Sequence, residues 1–188
     1  MQRGNPDDPL LKQVLPLAVE NADCGVADPV GDIDAMVTPG LLHKYKARVL
    51  LVTTGACAIH CRYCFRRQFP YASFNAARHD WQQALDYIRR HDDIREVILS
   101  GGDPLLLDNA RLERLFIALE QIPHLEWLRI HTRVPVVLPS RIDHELVCLL
   151  RDLRFRTTIV IHANHGNELV IWRKHWIRYG QSGLFIGK

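Results

Sequence analysis

The chain has 188 residues, enough for one domain with a hydrophobic core of its own. Hydrophobic residues make up 47% and charged residues 24%, ordinary proportions for a globular protein. A formal net charge of +3 without a lysine-rich tail is too mild to predict a nucleic-acid partner, and no run approaches the ~18 apolar residues of a membrane span, so neither partner is expected.

In chain order, residues 1–40 are rich in Pro, Gly and Asp and show no sustained period. They read as an extended lead-in with one short helix near residues 10–14, and the start lacks the apolar core of a secretory leader. Residues 48–53 form an aliphatic, β-branched run that predicts a buried strand. Asp80 is placed to cap a helix whose stripe is Trp81, Ala84, Leu85 and Ile88. A second strand over 96–100 ends at Gly101-Gly102. Asp108 then caps a second helix with Leu112, Leu115, Phe116, Leu119 and Ile122 on one face and Pro123 just past its end. Residues 127–131 predict a third strand, Asp143 starts a third helix through Leu146, Leu149, Leu150 and Leu153, and residues 157–161 predict a fourth strand.

Alternating strands and helices predict an α/β fold of right-handed βα units on a parallel sheet, about half of a β/α barrel. The expected division is a lead-in over 1–40, the partial barrel over 41–165 and a differently patterned tail over 166–188. Chemistry in such a barrel gathers at the carboxyl ends of the strands. The cysteine loop after the first strand, Gly101-Gly-Asp-Pro104 and His131-Thr-Arg133 all fall there.

Five cysteines are present, and three of them fall in Cys57-Ala-Ile-His-Cys61-Arg-Tyr-Cys64. An odd count with such clustering suits a metal site in a reducing cytoplasm better than a secreted disulfide framework. Three close thiolates can hold three irons of a four-iron cluster and leave the fourth open to an outside ligand. A structural zinc is the rival, but it wants four ligands and would need His60 or a distant residue. Cys24 and Cys148 stand apart, and Cys148 reads as a small core residue. His162 and His165 have ligand-like spacing, but they read better as satisfied polar histidines, since a four-iron cluster needs no fourth protein ligand.

The spacing C-x3-C-x2-C, with Tyr63 before the last cysteine, resembles the radical S-adenosylmethionine (SAM) signature. Leu42-His-Lys-Tyr45, Arg48-Val-Leu50, Cys61-Arg-Tyr-Cys-Phe-Arg-Arg67, Ser100-Gly-Gly-Asp-Pro104 and Leu128-Arg-Ile-His131 narrow the likeness. They resemble the lysine 2,3-aminomutase family. The strings Gly4-Asn-Pro-Asp-Asp-Pro-Leu-Leu11 and Phe65-Arg-Arg-Gln-Phe-Pro-Tyr71 resemble most the branch that modifies bacterial elongation factor P.

The resemblance implies a 4Fe-4S cluster on Cys57, Cys61 and Cys64, with SAM and pyridoxal 5′-phosphate (PLP) as further cofactors and L-lysine as the substrate converted to (R)-β-lysine. By matching positions, Gly101, Gly102 and Asp103 lie against SAM, and His131 and Arg133 reach its side of the site. Lys44 and Arg48 hold the PLP phosphate, and Arg66 pairs with the substrate carboxylate, for which a guanidinium fork is suited. Without the resemblance, the glycines read as a tight turn and Lys44 and Arg48 as a solvated basic face. Arg62 and Arg67 receive no role.

No residue matches the lysine that holds PLP covalently, because neither Lys174 nor Lys188 has the right neighbours. No catalytic residue is therefore assigned. After Asn164 the likeness fades into the Trp-rich basic stretch over 169–180, and the expectation is an inactive, truncated member of the family. A half barrel is expected to leave an unpaired strand edge and to fold poorly or form homo-oligomers. A free-standing metabolic aminomutase and a non-catalytic iron–sulfur fragment remain as alternatives.

Overall fold

The computed structural model describes residues 1–21, 25–74, 81–168 and 185–187. Its frame is a seven-stranded sheet in which neighbours in sequence are neighbours in space. Strands β1 (Met36–Thr38), β2 (Leu41–Tyr45) and β3 (Arg48–Thr54) are antiparallel. From β3 onward, β4 (Glu96–Gly101), β5 (Trp127–Thr132), β6 (Arg156–Ile161) and β7 (Phe185–Gly187) are all parallel.

The four expected strands are β3 to β6. The antiparallel β1–β2 pair was not expected; its short strands lie where Pro39 and Gly40 break the pattern. Lys44 is thus on a strand instead of in front of one. Residues 185–187 pair with β6, so the open edge expected at β6 lies one strand further on, at β7.

Helices α1 (Gln82–Arg90), α2 (Asn109–Glu120) and α4 (His144–Arg151) are the three expected ones. The side chains of Asp108 and Asp143 accept from the backbone N–H of Arg111 and Leu146, each satisfying one otherwise orphaned helix donor. The cap assigned to Asp80 lies outside the described residues, as do Cys24, Lys174 and Lys188. A one-turn helix, α3 (Val134–Val137), also follows β5, with Pro135 in its first turn, where a missing N–H costs nothing.

The helices cover one face of the sheet. Val49 and Leu51 of β3, Val97 and Leu99 of β4, Leu128 and Ile130 of β5 and Ile159 of β6 pack there against Leu85, Ile88, Leu112, Leu115, Phe116 and Leu146. The other face has a much smaller apolar cluster, Leu42, Val52 and Phe69. Between these lie charged residues: Glu96, buried, receives both Arg129 at 2.7 Å and Arg48 at 3.3 Å. One face of the sheet is thus aliphatic and covered by helices, and the other carries the Glu96, Arg129 and Arg48 charges. Cys148, expected in the core, is only half-buried on α4, with its sulfur 3.6 Å from His144 Nδ1.

Candidate functional site

The carboxyl ends of β3, β4, β5 and β6 surround a cavity of about 160 Å³. Cys57, Cys61 and Cys64 line it together with Gly101, His131 and His162. Among the described residues, no three Cys, His, Asp or Glu side chains already form a closed metal cage. The donor set nevertheless fits the iron–sulfur reading, because three soft thiols line the same cavity. Burial pushes the Cys57 thiol up to about 11, and Asp103 and the other two cysteines add to the shift. Loading metal onto Cys57 must therefore release a proton.

The two glycines after β4 hold the foot of the cysteine loop. Gly102 N–H donates to Thr54 O at 2.7 Å and Asp103 N–H to Ala56 O at 2.8 Å. Gly101 has φ +114, a conformation L side chains rarely adopt, and a Cβ there would sit 2.7 Å from Thr54 O. A Cβ on Gly102 would collide with the backbone of Ala56. Glycine is required because two backbones meet, whatever else the glycines contact.

Asp103 is buried and its carboxylate is saturated. One oxygen accepts from Thr132 Oγ1 at 2.6 Å and Leu105 N–H, the other from the N–H groups of Arg133 and Val134. It knits the end of β4 to the end of β5 and lines the cavity with its carboxylate oxygens already engaged. His131 is different. Its Nε2 is buried without a hydrogen-bond partner, and its ring lies 5.6 Å from that of His162. Burial, then the neighbouring His162, hold His131 down to about 4, so a neutral imidazole faces the cavity. His162 is also lowered, chiefly by burial. His165 accepts the N–H of Asn167 at Nδ1 and takes no part in the cavity.

A second cavity of about 210 Å³ adjoins the first and is lined by Lys44, Tyr45, Arg48 and Asp32. Phe65 and Arg66 line both cavities and form the partition, with the Arg66 guanidinium 4.7 Å from the Phe65 ring centre. The candidate residues thus fall into two neighbouring compartments. Each cation of the second already has an anion: Arg66 Nε and Lys44 Nζ both reach Asp32 at 2.7 Å, and Arg48 is paired with Glu96. Arg66 also donates to Ser100 Oγ at 3.0 Å.

Sequence reasoning missed the role of the lead-in. Arg62 and Arg67, left without roles, both pair with Glu20. Arg62 N–H donates to Gln13 O at 2.8 Å and Tyr63 OH meets the Gln13 side chain. The short 3-10 turns Leu11–Gln13 and Ala18–Asn21 therefore strap the cysteine loop from outside. Partners about 50 residues apart leave no local pattern; an isolated Glu in a Pro-rich stretch was the only available signal.

The chain matches the Radical SAM superfamily over residues 51–181, a span that contains the three cysteines, the glycine turn, the end of β3 and the whole of β4, β5 and β6, and it belongs to that superfamily. Within it, the chain is 48% identical over 171 residues to the L-lysine 2,3-aminomutase of Haemophilus influenzae, covering 90% of this chain and 51% of that protein. The L-lysine 2,3-aminomutase of Escherichia coli K12 is 47% identical over 171 residues, 90% of this chain and 50% of the relative. That of Buchnera aphidicola is 43% identical over 186 residues, 98% of this chain and 54% of the relative. The chain spans about half the length of these relatives.

Proposed function

We propose that this chain provides the SAM-activating part of a lysine 2,3-aminomutase, in the branch whose (R)-β-lysine modifies elongation factor P. The observation that carries the reading is the convergence of Cys57, Cys61 and Cys64 on one cavity with the neutral, unpartnered His131. The similarity to proteins named L-lysine 2,3-aminomutase supplies the substrate, and the elongation factor rests on the branch-specific strings alone.

In this reading the three cysteines hold the cluster, which when bound with SAM supplies reductive, one-electron cleavage chemistry. Gly101 and Gly102 keep the loop close enough to β4 for the cavity to form, and Asp103 fixes the ends of β4 and β5. His131 presents an uncharged ring nitrogen to the ligand, and Phe65 with Arg66 divides the SAM side from the second compartment. There Arg66 receives the substrate carboxylate, and Lys44 and Arg48 would hold a PLP phosphate. Because Asp32 and Glu96 occupy these cations, an incoming anion must share or displace them. A reducing cytoplasm suits free thiols of this kind, and among the described residues no helix is long and apolar enough to cross a membrane. The open sheet makes self-association part of the same proposal.

A second reading, a non-catalytic iron–sulfur protein, is favoured by one observation: Lys44, Arg48 and Arg66, the cations expected to hold PLP and substrate, are already paired with carboxylates. One experiment separates the two. After anaerobic reconstitution with iron and sulfide, the protein is incubated with SAM and dithionite. Iron uptake with 5′-deoxyadenosine release supports SAM activation, and iron uptake without it supports the second reading. One zinc per chain with no iron uptake would overturn both.

A further inference from the structure

Arg133 is a buried cation that touches four separate parts of the molecule. Its Nη1 lies 2.8 Å from Cys61 Sγ and 2.7 Å from Tyr63 OH, both in the cysteine loop. Its Nη2 donates to Gln13 Oε1 in the lead-in and to Glu168 Oε1 after β6, each at 2.5 Å. Its own backbone N–H is held by Asp103 at the end of β4. The side chains of Arg133 and Glu168 are 9% and 5% exposed, so this pair sits in a low-dielectric position where geometry is tightly held. Glu168 is fixed in turn by the backbone N–H of Asn164 at 2.6 Å.

Among the described residues, Cys61 is the one cluster cysteine whose sulfur receives a side-chain donor. From these contacts we infer that Arg133 is a positioning residue for Cys61 and sets the reduction potential of the cluster, with Glu168 fixing Arg133 in its pose. This rests on the reading that the three cysteines hold an iron–sulfur cluster. An N–H group aimed at a cluster sulfur stabilises the extra negative charge of the reduced state more than the oxidised state, and so raises the potential. A full positive charge in a water-poor setting strengthens the effect. Glu168 offsets part of the charge of the buried guanidinium and, by holding Nη2, prevents Nη1 from rotating off Cys61. Arg133 Nε is buried without a partner, which costs stability. The guanidinium therefore sits where the two Nη contacts need it, at the expense of its own hydrogen-bonding.

The test uses the full chain, reconstituted anaerobically with iron and sulfide, as wild type and as Arg133→Lys, Arg133→Gln and Glu168→Gln. Iron per chain is measured first, and then the midpoint of the cluster by electron paramagnetic resonance during a dithionite titration. In Arg133→Gln the reduced-to-oxidised ratio at a fixed potential should fall about tenfold, a midpoint ~59 mV lower. Arg133→Lys keeps the charge without the fork and should lie between this variant and wild type. Glu168→Gln removes a nearby negative charge while its amide oxygen can still accept from Nη2, and should raise the midpoint by a smaller factor. If Arg133→Gln takes up no iron, the other two variants decide. A midpoint equal to wild type in the variants that load overturns the inference, even if loading is reduced, because a purely structural contact would alter occupancy alone. If wild type itself takes up no iron, the cluster reading fails and the inference fails with it, a result distinct from loaded clusters of unchanged potential.

Discussion

Asp32 shows how much one carboxylate can organise. It is buried, and it binds both Arg66 and Lys44, which lie 34 and 12 residues away in the chain. Arg66 is itself only 8% exposed, so removing Asp32 would leave a largely buried guanidinium without its anion, held among the described residues by Ser100 alone. Breaking a buried ion pair from one side costs about 3 kcal/mol or more, far above the value of a surface pair. Asp32→Ala should therefore lower the urea midpoint by that equivalent, and Asp32→Asn, which can still accept from Arg66, should lower it less. As a control, Asp7→Ala removes an exposed pair with Lys12 and should leave the midpoint unchanged. The motifs identified Arg66 and Lys44 as candidates, but no local pattern could pair them with an aspartate in the Pro-rich lead-in.

At the scale of elements, the cysteine loop is held by what lies beneath and outside it. Beneath are Gly101 and Gly102 of the β4 turn; outside are Gln13 and Glu20 of the lead-in. Gly102→Ala places a methyl group against the Ala56 backbone, which has no flexible side chain to move aside. Overpacking of this kind costs roughly 1–3 kcal/mol, and here the strain falls on the loop that carries the thiols. Iron uptake should drop while the far-ultraviolet circular dichroism stays near wild type. Gly166→Ala, where an added Cβ meets nothing, should leave both unchanged. An unaffected iron uptake in Gly102→Ala would refute this role for the turn.

Across the whole molecule, pH acts through groups buried around the cavity. His131 has a folded value of about 4, depressed first by burial, against about 6.5 when unfolded. Between these values the unfolded chain binds more protons than the folded one, so stability falls as pH drops through that window. His162, also lowered by burial, acts in the same sense. Burial works to raise Glu168, but the Asn164 N–H and Arg133 outweigh it and leave it lowered, so its contribution persists above the ordinary glutamate range and is lost on further acidification. Urea melts of the metal-free protein should show a midpoint that declines from pH 6.5 towards 4. His131→Phe should flatten this decline, and an unchanged slope in that variant would assign the effect elsewhere.

The amino-acid sequence by itself determined the strand–helix alternation from β3 to β6, the two aspartate caps and the cysteine spacing. Each is a local signal: hydrophobic period, a cap within three residues, ligands within one loop. Tertiary structure alone decided that Asp103 is consumed by backbone and side-chain donors, that Lys44 and Arg48 already face carboxylates, and that Arg133 reaches Cys61. The longer of those contacts join residues 12 to 72 apart, and their energies depend on distance and burial that no spacing in the chain encodes.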